Sequence, residues 1–165
     1  MAFKYEATVQ HGEDKTEYVN LGKDGISVAE FEGKKILKVA PEALTKIAQA
    51  AFEEVGFRLR PAHTQKVAKI LQDPEASDND KFVALTLLKN ACVAAKGILP
   101  FCQDTGTAIC ICHKGQQVWT GCDDAKAISE GIYNAYTGKN LRYSQIAPLT
   151  MYEEKNTACN LPAQI

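Results

Sequence analysis

A chain of 165 residues, 45% hydrophobic and 24% charged, has ordinary globular composition, which excludes a disordered tail, a collagenous repeat or a coiled coil. At roughly 150 residues per domain it is one domain long, and a chain this size buries about 70% of its unfolded surface, so its core needs no staple. Nineteen basic residues against twenty acidic ones leave a net charge of −1 and no basic stripe for a nucleic-acid backbone, and no apolar run approaches the roughly 20 residues of a membrane span.

In chain order, Met1 to Gln10 carries neither a basic region nor a long apolar stretch, so no secretory signal is readable there. Ile26, Val28 and Phe31 precede Glu32-Gly33-Lys34-Lys35, and Ile36 to Val39 follows, which predicts a hairpin with a glycine-containing turn. A helix is predicted from about Pro41, with Leu44, Ile47, Ala48, Ala51, Phe52 and Val55 as its apolar positions and Gly56 as its end. A second runs from about Pro61 to Gln72 with Val67, Ile70 and Leu71 as its apolar positions, and Asp73-Pro74 stops it. Ser77 caps a third, in which Phe82, Leu85, Leu88, Cys92 and Ala95 share a stripe, and Gly97 ends it. Thr107 to Cys112 reads as a strand, His113-Lys114-Gly115-Gln116 as a turn, and Gln117 to Thr120 as the return strand. A fourth helix starts near Asp123, carries Ala127, Ile128, Gly131, Ile132 and Ala135, and ends at Gly138. Leu141 to Ile165 has no strong period. The expected class is mixed α/β (α+β): a hairpin and helices, then a mixed sheet packed with helices. The ending Leu161-Pro162-Ala163-Gln164-Ile165 lacks a polar tail, which suggests a piece of something longer, a truncated domain.

Five of the six cysteines fall between Cys92 and Cys122, and the first ninety-one residues have none. With no signal peptide, this clustering suits reduced thiols or a metal ligand better than a disulfide framework, and a cytoplasmic or other reducing compartment. The sharpest constellation is Pro100-Phe101-Cys102-Gln103-Asp104-Thr105-Gly106-Thr107. It sets a soft metal ligand, an amide, a carboxylate and a hydroxyl side by side in a glycine-held turn. A thiolate at Cys102 can bind iron or zinc, and Asp104, two residues on, can move protons at whatever the metal holds. The plainer alternative is a loop whose Asp104 caps its own turn and whose Cys102 is merely buried. Arg142 suits bidentate capture of a carboxylate, or is a surface arginine favourable to a helix end.

The other sulfurs and imidazoles read as structural. Cys110-Ile111-Cys112-His113 invites a zinc site, yet in a strand Cys110 and Cys112 share one face while His113 takes the other, and no second CxxC-type pair is present. Cys92 sits on an apolar stripe, and Cys122 and Cys159 have no nameable partner. His63 opens a helix; His11 and His113 read as exposed. Asp104-Thr105-Gly106 is also the triplet of aspartic proteases, where two loops share a proton, but Pro100, Cys102 and Gln103 replace the apolar strand expected before it, and helices dominate the first hundred residues.

Leu99-Pro100-Phe101-Cys102-Gln103-Asp104-Thr105-Gly106-Thr107-Ala108 resembles the cluster-binding segment of class I fumarases, the oxygen-sensitive iron–sulfur fumarate hydratases. Phe31-Glu32-Gly33, Lys38 to Leu44, Arg60-Pro61-Ala62-His63 and Asp73 to Ser77 resemble the same family in order, as do Val118-Trp119-Thr120-Gly121, Asn140 to Ser144 and Asn160 to Ile165. The resemblance covers the chain from about residue 20 and implies the N-terminal part (1–165) of the catalytic domain, with the C-terminal domain absent. It also implies a [4Fe–4S] cluster held by three cysteines. Cys102 is the first of them, and the other two lie beyond this chain. Gln103, Asp104 and Arg142 fall on positions that contact substrate, with Asp104 a candidate for proton transfer. The expected substrates are fumarate and L-malate, with a tartrate dehydratase as the alternative, and the expected parent is a homodimer. One homologous cysteine cannot replace three, so the 165-residue chain is expected to be inactive and not to retain the cluster. A folded, self-associating, non-catalytic chain is the reading outside enzymology.

Overall fold

The computed structural model describes residues 3–6, 17–102 and 106–165; Gln103, Asp104, Thr105 and His11 lie outside them. Strands β1 (Ile26–Phe31) and β2 (Lys34–Val39) pair antiparallel, with Ile26 opposite Val39 and Phe31 opposite Lys34. The turn between them is the two residues Glu32-Gly33, both at positive φ (49° and 73°). That is the sense of turn whose twist matches right-handed strands, and a glycine makes its second position easy.

Helix α1 (Pro41–Phe57) has proline in its first turn and no side-chain cap. Its start is fixed instead by the hairpin, because the Ala40 N–H donates to the Gly25 carbonyl at 2.8 Å. Helices α2 (Pro61–Ile70) and α3 (Asp78–Ala94) follow, and then α4 (Asp124–Gly138). At α3 the cap is a full reciprocal box. The Asp80 N–H donates to Ser77 Oγ at 3.2 Å, while Asp80 Oδ2 accepts from the Ser77 N–H at 3.0 Å. At α4 the Lys126 N–H donates to Asp123 Oδ1 at 3.1 Å.

The core is the α1–α4 interface. Ile132 and Ala135 are fully buried, and Ala48, Phe57, Ala108, Ile128, Tyr136 and Leu141 join them. The helices approach closely because small residues meet at the crossing. A Cβ on Gly131 would lie 2.4 Å from the Thr45 carbonyl oxygen and 2.7 Å from the Ala48 Cβ. Thr45 Oγ1 also donates to the Ala127 carbonyl at 3.0 Å, tying the two helices by a polar contact. Five of the α4 positions expected to be apolar (Ala127, Ile128, Gly131, Ile132 and Ala135) are buried.

Two expectations need correction. Gln117–Thr120 does not return against Thr107–Cys112. Strand β3 (Val118–Trp119) instead lies parallel to β2, with Leu37 opposite Val118, and gives a mixed sheet ordered β1-β2-β3. A parallel neighbour needs a long crossover, and α1 to α3 supply it. Phe31 and Trp119 flank β2 with ring centroids 5.7 Å apart. Ile109, from the presumed outgoing strand, makes an isolated parallel bridge with Gln164. The second correction concerns helix faces. On α3, Phe82, Leu85 and Cys92 are exposed, while Ala84 and Ala94 are buried. On α1, Ile47 and Val55 face outward, and Ala43, Ala48, Gly56 and Phe57 face in. Apart from Phe57, the buried positions of these two helices are alanine and glycine, while Ile47, Val55, Phe82 and Leu85 stay at the surface. The aperiodic tail forms a second, two-stranded sheet, β4 (Ile146–Pro148) against β5 (Glu154–Asn156).

Candidate functional site

Phe101 anchors the loop in front of Cys102: its ring is buried and its N–H donates to the Gly56 carbonyl, at the end of α1, at 3.0 Å. The Cys102 N–H donates to Asn90 Oδ1, on α3, at 3.1 Å. Arg142 Nη2 donates to the Cys102 carbonyl oxygen. Residues 101 and 102 are therefore held from three points of the chain, and Cys102 is left exposed to solvent.

Arg142 reaches this point because α4 ends at Gly138 and Asn140 turns the chain with φ of 55°. Leu141 then goes into the core, where its Cδ2 meets Gly56 so closely that a Cβ there would sit 3.0 Å away, and Arg142 is carried to the outside. A guanidinium has five N–H donors, so the bond to the Cys102 carbonyl leaves the fork able to take a carboxylate as well. Arg142 lies four residues beyond the helix, which removes the reading of it as a charge at the helix end.

The far side of the loop is fixed by a buried amide. Asn160, with no exposed surface, donates from Nδ2 to the Gly106 carbonyl at 3.0 Å and accepts from the Gln145 N–H at 2.8 Å. Thr107 Oγ1 contacts Gln145 Oε1 at 2.8 Å, and Gly106 itself sits at φ of 96°. Segment 108–110 is then clamped to the chain's last residues: the Gln164 N–H donates to Ala108 O at 2.9 Å and the Cys110 N–H to Gln164 O at 2.8 Å.

Of the four residues singled out in the sequence, Cys102 and Arg142 are brought into contact across forty positions. Gln103 and Asp104 lie outside the described residues, between the two anchored ends. Asn90 and Asn160 were missed as holders of the loop. The readable signal was an asparagine inside a helix that otherwise favours better helix formers, and one standing next to Leu161-Pro162. A cavity of about 440 Å³ lies elsewhere, lined by Gly25, Lys38, Trp119 and Gly121 among others, and neither Cys102 nor Arg142 lines it.

The donor set of the loop tests the iron–sulfur expectation. Cys102 offers one exposed sulfur, which suits a single position on a cluster. Among the described residues no group of three or more histidine, cysteine, aspartate or glutamate side chains is placed to hold a metal. The described residues thus fit one corner of a cluster and not the whole of it. All six cysteines are free thiols.

A family model described as fumarate hydratase (Fumerase) matches residues 45–165. The chain belongs to that family. It is 60% identical over 163 residues to the aerobic class I fumarate hydratase of Escherichia coli K12, covering 99% of this chain and 30% of that relative. Identity to the anaerobic class I enzyme of the same strain is also 60%, with the same coverage. Fumarate hydratase 2 of Leishmania major is 51% identical over 92% of this chain and 27% of its own length. The chain therefore spans less than a third of the curated relatives it matches. Membership in the fumarate hydratase family removes the aspartic-protease reading of Asp104-Thr105-Gly106. Among the described residues no helix is long and apolar enough to cross a membrane.

Proposed function

We propose that this chain is the N-terminal part of an iron–sulfur fumarate hydratase that interconverts fumarate and L-malate, and that its loop 102–107 with Arg142 forms one side of the active site. The observation that carries this is the hydrogen bond from Arg142 to the carbonyl of Cys102, which brings a carboxylate-binding group beside the exposed thiol of the family-like segment.

Water must add across a double bond conjugated to two carboxylates, so their charge has to be held while one carbon gains a proton. Arg142 binds one carboxylate bidentately, in the planar geometry that a lysine cannot match. Gln103 donates an amide hydrogen bond to the diacid, and Asp104 holds or takes the carbon-bound proton. Cys102 supplies one thiolate to a [4Fe–4S] cluster, which when bound offers an open iron as a Lewis acid toward the hydroxyl. The remaining thiolates come from outside these 165 residues, so this polypeptide alone neither holds the cluster nor turns over substrate. The complete enzyme is a homodimer of a reducing compartment such as the cytoplasm.

The test is anaerobic assay of the complete enzyme on fumarate, L-malate and tartrate. Turnover of the fumarate pair is expected. Turnover of tartrate alone would favour the dehydratase alternative, and turnover of none of them would overturn the proposal. A hydrogen bond to a charged group is worth about 1.5–3 kcal/mol, so Arg142→Ala should raise KM by about tenfold or more. Asp104→Asn should depress kcat with the cluster absorbance intact, and Cys102→Ser should remove that absorbance. Near-normal turnover of Asp104→Asn would leave Asp104 as a turn cap only.

A further inference from the structure

Beyond Cys102, the sulfur atoms of Cys110 and Cys112 lie 3.3 Å apart. The two are unlike. Cys110 is half-buried against the α1–α4 core, and its N–H is bonded to Gln164, while Cys112 is exposed. A zinc reading fails at this pair, since tetrahedral zinc takes four donors and no group of three or more metal-binding side chains is present among the described residues. The separation is short of what a shared metal needs and long for a bond. A disulfide closes to about 2.05 Å, so the two sulfurs have only about 1.3 Å left to travel.

We propose that Cys110 and Cys112 form a dithiol redox site, closed to an intramolecular disulfide by a small-molecule disulfide. The exposed Cys112 thiolate attacks one sulfur of the reagent. The reagent's S–S bond breaks, one thiolate leaves with the electron pair and takes up a proton, and Cys112 is left as a mixed disulfide. Cys110 then gives up its proton and attacks Cys112 Sγ, displacing the second reagent thiolate. The two cysteines together lose two electrons, and the reagent is reduced to two thiols. The order follows from access and ionisation. Burial first, and then the contact with Cys112, push the Cys110 thiol up to about 11, so it stays protonated at neutral pH while its partner meets the solvent. Once Cys112 is capped, Cys110 needs only intramolecular reach, which the 3.3 Å separation provides.

The experiment incubates the 165-residue polypeptide with oxidised glutathione under native conditions. Free thiols are alkylated with one label and, after reduction, the remainder with a second, and fragment-ion mass spectrometry assigns each cysteine. The expected result is that Cys110 and Cys112 take the second label together, with no glutathione on either before reduction. In Cys110→Ser, Cys112 should be trapped as its glutathione mixed disulfide. In Cys112→Ser, an exposed and conservative change, Cys110 should take the first label. Separate glutathione adducts on both residues would overturn the proposal. So would a bond from either to Cys92, Cys102, Cys122 or Cys159, or both thiols remaining free.

Discussion

Replacing Gly131 with alanine adds one methyl group at the tightest point of the molecule. The new Cβ would lie 2.4 Å from the Thr45 carbonyl oxygen, 2.7 Å from the Ala48 Cβ and 2.8 Å from the Gln49 nitrogen. Two of those three atoms are α1 backbone, which cannot rotate aside, so α1 and α4 must separate along the core seam that holds Ile132 and Ala135. Overpacking of this kind costs typically 1–3 kcal/mol, and rigid backbone on the receiving side places it near about 3 kcal/mol. Alanine's helix propensity returns about 1 kcal/mol, leaving a net loss of about 2 kcal/mol. For a chain of this length each kcal/mol moves Tm by roughly 2–4 °C, so Tm should fall by about 4–8 °C. Gly138→Ala is the matched control on the same helix, since nothing lies within 4 Å of its added Cβ. It should be neutral or raise stability by about 0.4–1 kcal/mol. Thermal unfolding followed by circular dichroism reads both variants. A Gly131→Ala protein as stable as its parent would refute the close-crossing argument.

Asn160→Ala should cost about 2 kcal/mol, because it leaves the half-buried Gln145 N–H without its acceptor and releases the Gly106 carbonyl. Urea denaturation measures this, and Asn160→Gly should recover the part due to the positive φ of 56° while losing the same hydrogen bonds. Ser77→Ala should cost about 1 kcal/mol by removing the α3 cap, read from the denaturation midpoint. Acid should weaken the same helix start. Hydrogen bonds from the Ser77 hydroxyl and N–H hold the Asp80 carboxyl below the usual range, so its contribution is complete above the unfolded value of about 4 and is lost as pH falls through the lower folded value. Asp124, lowered first by Lys114 and then by the Thr120 hydroxyl, follows the same sign. Carbon-detected NMR titration of the two carboxyls checks both, and ordinary carboxylate midpoints would refute the reading.

The elements that were legible in the sequence are those whose signal is local. The Glu32-Gly33 turn, the prolines opening α1 and α2, the Ser77 cap and the stop at Gly138 each depend on residues within four positions of one another, and each stands where expected. The α4 stripe was readable because Ala127, Ile128, Gly131, Ile132 and Ala135 recur at helical spacing along one face. On α3 the same method chose the larger residues. The residues buried there are Ala84 and Ala94, and hydrophobic content alone does not reveal which face turns inward. The place of Val118–Trp119 was illegible for a different reason. Its partner, β2, lies some eighty positions upstream, and nothing in a two-residue strand distinguishes a hairpin return from a parallel edge.

The candidate site shows the same division. Residue types in the loop carried the suggestion of chemistry, but not what holds the loop in place. Anchors at Gly56, Asn90, Arg142, Gln145 and Asn160 come from both sides of it in sequence and meet at it only in the folded chain. Arg142 has two tasks in this arrangement. It fixes the Cys102 carbonyl, and in the proposed enzyme it also receives a substrate carboxylate, so loss of the arginine loosens the loop as well as the diacid. Arg142→Lys separates the two tasks. An ammonium can still donate to the Cys102 carbonyl but cannot fork a carboxylate, so stability should be retained while KM rises. The opposite pattern, stability lost and KM unchanged, would assign Arg142 to the scaffold alone.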